Sequence, residues 1–70
     1  MEQLVDPKKI FGAKLRSHRK ENGFSQEVLA ERTGLSRVYI SCLERGKQDP
    51  SLKVLKKLAH GLGINVSDLI

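Results

Sequence analysis

The sequence predicts an all-α domain, and three observations lead to that class. The chain has 70 residues, enough for one small domain that buries only about 60% of its unfolded surface, so helices joined by short loops are the economical solution. Apolar residues recur at helical spacing, while the alternating runs of a β hairpin are absent. Finally, Asp6, Ser25, Ser36, Ser51 and Ser67 each stand just ahead of such a pattern, where a helix start needs a side-chain acceptor for its free N–H groups. No repeat, linker or low-complexity segment divides the chain. The expectation is a single domain over residues 1–70, with residues 1–6 as a flexible N-terminus.

The elements follow in order. Asp6 caps a first helix, and Pro7 suits its first position because a missing N–H costs nothing there. Phe11, Leu15 and His18 then fall at i, i+4 and i+7, one helical face, with Arg16 and Lys20 projecting elsewhere; Asn22-Gly23 stops the helix. Ser25 caps a second helix, with Glu27 near its positive end and Leu29 and Ala30 inward. It ends near Thr33, and Gly34 makes the turn. Ser36 caps a third helix with Ile40 and Leu43 inward and Gly46 at its close. After the loop "KQDP", Ser51 caps a fourth, in which Leu52, Leu55, Leu58, Ala59 and Leu62 form a stripe and Lys53, Lys56 and Lys57 lie off it. Gly61 inside that helix costs about 1 kcal/mol relative to alanine. Ser67 is expected to cap a last turn that returns Leu69 to the core.

Composition narrows the function classes. A net charge of +5 and a pI near 9.7 make the chain a candidate for nucleic acid or another anionic surface, though charge alone also serves solubility. The single cysteine, Cys42, excludes an intrachain disulfide and a cysteine-based zinc site. No apolar run approaches the roughly 18 residues of a membrane span, and the opening residues lack an apolar signal core; a cytoplasmic protein with no membrane partner is expected. His18 and His60 stand singly on different helices without metal-ligand spacing, so no metal and no cofactor are expected. No serine, histidine and aspartate set suggests a nucleophile, and the expectation is that the chain is not an enzyme.

The third helix carries the functional signal. With Ile40 at the centre of the buried face, Val38, Ser41, Cys42 and Arg45 fall on the far side at about 100° per residue. An inert solvated face would be lysine and glutamate; this one mixes small, apolar, hydroxyl and arginine groups. It suits the major groove, where Arg37 can pair with guanine through two bonds and Val38 can touch a thymine methyl. Ser25 and Gln26 stand where free backbone N–H groups favour a phosphate, as Ser36 does for the next helix. Gly34 permits the steep crossing of a helix-turn-helix, over residues 25–46.

Gly12, Leu15, Arg16, Arg19, Gly23, Ser25-Gln26, Leu29-Ala30, Gly34, Ser36, Ile40-Ser41, Glu44, Gly46, Pro50-Ser51, Leu55, Ala59, Leu62 and Leu69, in this order and spacing, resemble the lambda-repressor-like (Cro or xenobiotic-response-element type) helix-turn-helix family, from about Ile10 to Ile70. The resemblance implies a compact five-helix domain with helices 2 and 3 as the motif, and a homodimer bound to double-stranded DNA with helix 3 in the major groove. It implies base reading by Arg37, Val38, Ser41 and Cys42, and contacts to the DNA backbone by Gln26, Tyr39, Arg45 and Lys47. It also implies a structural ion pair between Arg19 and Glu44, which agrees with the inward turn of Glu44 on the wheel. Within the family, "SRVYISCLERGKQDPSL" looks most like restriction-modification controller proteins, small dimeric autoregulators; sporulation-type repressors share much of the run. The resemblance leaves room for contact with RNA polymerase or another protein. His18 stands where leucine is common, and Gly61 where alanine is.

Two alternative roles fit parts of the sequence. A protein-interaction module, such as the antitoxin of a toxin–antitoxin pair, would use the same fold and draw on apolar residues expected at the surface, Val54, Val66 and Ile70. Cys42 as a redox sensor lacks a second cysteine to resolve it, so a groove contact is the simpler role. The lysines of the fourth helix read as a solvated face, with only those near its start in reach of phosphate.

Overall fold

The computed structural model describes residues 5–70. Four α-helices follow one another, α1 Pro7–Glu21, α2 Gln26–Thr33, α3 Arg37–Glu44 and α4 Leu52–Leu62, and a 3₁₀ turn at Val66–Asp68 follows α4. Among the described residues there is no strand. The expected flexible N-terminus falls mainly on residues 1–4, outside the described residues; Asp6 already belongs to the fold as the N-cap of α1.

Each α-helix starts on a side chain that takes up one of its orphan N–H groups. Asp6 Oδ1 accepts from the Lys8 N–H at 3.0 Å, and Ser25, Ser36 and Ser51 accept through Oγ from Val28, Tyr39 and Val54 at 3.0, 3.0 and 3.2 Å. Between α2 and α3 the chain turns at Gly34, whose φ of 76° is a left-handed conformation that costs a residue with a Cβ about 1–2 kcal/mol. Thr33 ties the turn together: its buried Oγ1 donates to the Leu29 carbonyl at 2.8 Å and accepts from the Leu35 N–H at 3.3 Å.

The core is aliphatic. Leu15, Leu29, Ile40, Leu43, Leu58 and Leu69 are fully buried, with Phe11, Ala59 and Leu62 at its edge. α3 lies against α1 and α2, and α4 against α2 and the 3₁₀ turn. Tyr39, Leu55, Val54 and Val66 pack half-buried around this core.

Several sequence expectations require correction. Leu52 is 61% exposed rather than part of the buried stripe; at the first position of α4 its Cα–Cβ bond tilts toward the helix N-terminus and carries the side chain past the end of the packed surface. Ala30 and Leu55 are half-buried. His18 stands at the rim, its Nδ1 3.5 Å from Glu21 and its Nε2 3.3 Å from the Asp68 carbonyl oxygen, where both ring nitrogens keep polar neighbours. Val54 and Val66 are not free surface, whereas Ile70 is 70% exposed. In place of a fifth α-helix there is one 3₁₀ turn. Its cap is Asn65, whose N–H donates to Asp68 Oδ2 at 3.0 Å, and Ser67 lies inside the turn instead of before it. Three residues make too short a run to repay α-helix nucleation, and 3₁₀ geometry closes the turn with fewer. Gly61 answers a packing demand: a Cβ there would sit 2.7 Å from Thr33 Cγ2, so its absence lets α4 approach α2.

Gly12 does the same between α1 and α3, more strictly. A Cβ on Gly12 would overlap the Leu43 carbonyl oxygen and lie 2.6 Å from that of Glu44, and neither backbone group can swing aside. Gly12→Ala is therefore expected to destabilise the domain by about 1–3 kcal/mol, although alanine is the better helix former by about 1 kcal/mol. Urea denaturation checks this; a variant as stable as the parent would mean that α1 and α3 lie farther apart.

Candidate nucleic-acid interface

The exposed side of α3 is set by what its other side buries. Ile40 and Leu43 are fully buried, which fixes the roll of the helix. Arg37 and Val38 are left outside, Val38 60% exposed, at the end where the Arg37 and Val38 N–H groups have no intrahelical partner. Ser41 and Cys42 follow half-buried, one turn on. The exposed Arg45 folds back over that turn: its Nε donates to the Ser41 carbonyl at 3.3 Å and its Nη2 lies 3.7 Å from Cys42 Sγ. The thiol is thus partly covered by a neighbouring guanidinium. Among the described residues, no group of three or more histidines, cysteines or carboxylates is arranged to hold a metal ion.

The expected phosphate-side residues are less alike than the sequence suggests. The Ser25 and Ser36 hydroxyls act as caps, each accepting from its own helix. Tyr39 rests half-buried against the core. Lys47 is exposed just beyond Gly46, with its N–H donating to the Cys42 carbonyl at 3.0 Å. Gln26 is drawn inward: its Nε2 donates to Glu44 Oε1 at 3.1 Å. Nothing in the sequence pattern signals that bond, which joins residues 18 positions apart on two helices.

Glu44 is the hub of this region. Its carboxylate, with only 4% of the side chain exposed, accepts from Arg19 Nε at 2.6 Å and from Arg19 Nη2 at 3.0 Å, besides Gln26. Arg19 spends its Nη1 on the Phe24 carbonyl at 2.8 Å. Two parallel bonds of this kind are charge-assisted and strongly directional. The hydrogen bonding of Arg19 to the Glu44 carboxylate, opposed by desolvation and helped by the charges of Glu44 and Glu27, holds the Arg19 pKa above its ordinary value. The guanidinium therefore stays charged throughout the working pH range. Among the described residues no buried side-chain nitrogen or oxygen lacks a partner. Gln26, Ser41 and Arg45 meet Arg16, Arg19 and Glu44 around one cleft of about 200 Å³, whereas Arg37 and Val38 stand apart at the start of α3.

A helix-turn-helix family profile matches residues 15–69. Control protein C.MunI from a Mycoplasma species is 46% identical over 67 residues, spanning 94% of this chain and 90% of that protein. Control protein C.SmaI from Serratia marcescens is 41% identical over 67 residues, spanning 96% and 80%. The crystal structure of the restriction-modification controller protein C.AhdI from Aeromonas hydrophila is similar with a TM-score of 0.91 and 39% identity, over 94% of this chain and 100% of that one.

Glu44→Ala would leave Arg19 buried with no counter-charge. The expected cost is about 3–5 kcal/mol in urea denaturation. The double variant Arg19→Met/Glu44→Leu is expected to regain most of it, because no charge is then left buried. A Glu44→Ala protein within 1 kcal/mol of the parent, roughly the worth of an exposed pair, would show that the pair does not brace the fold.

Proposed function

Since this chain belongs to the helix-turn-helix family, we propose that it is a DNA-binding transcriptional regulator of the restriction-modification controller type, acting as a homodimer on a pseudo-palindromic operator. α3 lies in the major groove of each half-site. The observation that carries this reading is the two-sided character of α3: a roll fixed by buried Ile40 and Leu43, with Arg37 and Val38 exposed at its N-terminal end. Arg37, Val38, Ser41 and Cys42 read base edges. Gln26, Tyr39, Arg45, Lys47 and the capped starts of α2 and α3 at Ser25 and Ser36 meet phosphates and set register. The Glu44 hub fixes the Gln26 amide beside α3 before DNA arrives, so less side-chain freedom is lost on binding. Residues 1–70 act as one domain, with the 3₁₀ turn in the place of the fifth helix of the lambda-repressor-like pattern.

The reading assigns no catalysis and places the protein in the cytoplasm; no helix of the described residues is long and apolar enough to cross a membrane. High identity over nearly whole chains to two control proteins favours the regulator over an antitoxin.

Selection of bound duplexes from a random pool is expected to return a site with two half-sites about 34 Å apart or a multiple of that, as a two-fold dimer demands. On that duplex Arg37→Ala should lose about 1–3 kcal/mol of binding and relax the preference at one base pair. Equal losses on the selected and a scrambled duplex would show that Arg37 does not read a base.

A further inference from the structure

α1 holds six of the lysines and arginines and one glutamate. That excess of five equals the formal net charge of the whole chain, so all other residues together balance to zero. The excess is also organised. Lys9, Arg16 and Lys20 recur at i, i+7 and i+11 and fall within about 40° of one another around the helix. With Ala13, Ser17 and Arg45 they line a cleft of about 500 Å³ between α1 and the end of α3. The small side chains of Ala13 and Ser17 leave it open. The Lys9 stem is held against Gly46, where a Cβ would come within 2.6 Å of its Cγ, next to Lys47. At the other end the cleft adjoins the smaller one that contains Gln26 and Ser41, and Arg16, Glu44 and Arg45 border both.

No carboxylate among the described residues neutralises these charges. Glu44, the one carboxylate at the cleft, is occupied by Arg19 and Gln26. Among the described residues, no carboxylate pairs with Lys9, Arg16, Lys20 or Arg45. The negative C-terminal end of α1 accounts for Lys20, in the last turn, but the dipole effect fades within one turn and leaves Lys9 and Arg16 unexplained. An inert solvated face would interleave acids at i+4.

We propose that DNA continues past α3 across α1, with Arg16 and Lys20 as direct contacts to the phosphodiester backbone and Lys9 completing the row. The proposal rests on the DNA-binding reading above and enlarges its footprint. The row is about 16 Å long at 1.5 Å per residue, and each strand carries a phosphate about every 3.4 Å of duplex axis, so one backbone segment passes all three cations. None of them reaches a base edge, so they add affinity and salt dependence without sequence preference.

The test compares the parent protein, Arg16→Gln/Lys20→Gln and Lys14→Gln on the selected duplex at several salt concentrations. Lys14 lies on another side of α1, with its Nζ donating to the Ile70 carbonyl at 3.0 Å, and controls for loss of charge alone. All three should melt alike, since the substituted side chains are exposed. The double variant is expected to lower the slope of log affinity against log salt by about 1.8, so that between 50 and 200 mM the parent loses about 12-fold more affinity than the variant. Its preference for selected over scrambled duplex should be unchanged, and Lys14→Gln should keep the parental slope. A parental slope in the double variant, with the parent still binding its duplex, overturns the α1 contact and leaves the regulator reading intact. A parent that selects no duplex overturns both. Micromolar binding of inorganic pyrophosphate by the parent, lost in the double variant while the DNA slope stays parental, would make the cleft a site for a small anion and overturn the proposal.

Discussion

The Glu44 carboxylate accepts three hydrogen bonds, two from Arg19 and one from Gln26, and through them four stretches of chain are held together. Arg19 belongs to α1 and also reaches the Phe24 carbonyl in the loop before α2; Gln26 opens α2; Glu44 closes α3. A buried charge pair is not by itself strong evidence of stability, because removing two ions from water costs several kcal/mol each. What it imposes is a geometry. The two-bond Arg–carboxylate match tolerates little displacement, and an unsatisfied member is costly, so alternative placements of α3 against α1 are disfavoured. The aliphatic core fixes the roll of α3 through Ile40 and Leu43, but apolar contacts are less directional and tolerate small shifts between helices better than the ion pair does. Gly12 is the steric counterpart: it lets α1 come close enough to the Leu43 and Glu44 carbonyls for Arg19 to reach its partner.

This division of labour explains why some features were legible in the sequence. Helix starts at Asp6, Ser25, Ser36 and Ser51 depend on a bond that spans two or three residues, so local sequence carries the whole signal. The roll of α3 was readable from Ile40 and Leu43 because a helix has one period. Structure departs from local pattern where the outcome depends on distant partners. Leu52 matches the period of α4 but stands at its first position, where there is nothing left to cover it. The segment after α4 has a capping pattern at Ser67, yet the reciprocal bond between Asn65 and Asp68 wins and yields a 3₁₀ turn. Gly61 looked like a weakness in a helix and is a close approach to Thr33.

The candidate interface was legible in the same uneven way. Exposure of Arg37 and Val38 follows from the wheel. The inward bond of Gln26 does not, because no periodicity links it to Glu44; its position at a helix start and the resemblance both point only to phosphate. Arg16 and Lys20 project away from the apolar face already on the wheel, but their row with Lys9 needed the fold. Only there do these cations share a cleft with Arg45, beside a carboxylate already taken.

Concentrating the entire charge excess on one helix also has a kinetic side. A molecule whose positive charge is spread evenly is drawn toward a polyanion in any orientation and must search for the right one after collision. With the excess gathered on α1, the chain is electrically lopsided, and the field of an approaching polyanion exerts a torque as well as a pull. The torque turns α1 and the neighbouring end of α3 toward that partner while the two are still separated by solvent, within the roughly 10 Å over which salt leaves the field intact. Orientation is then partly settled before contact, and fewer encounters are wasted.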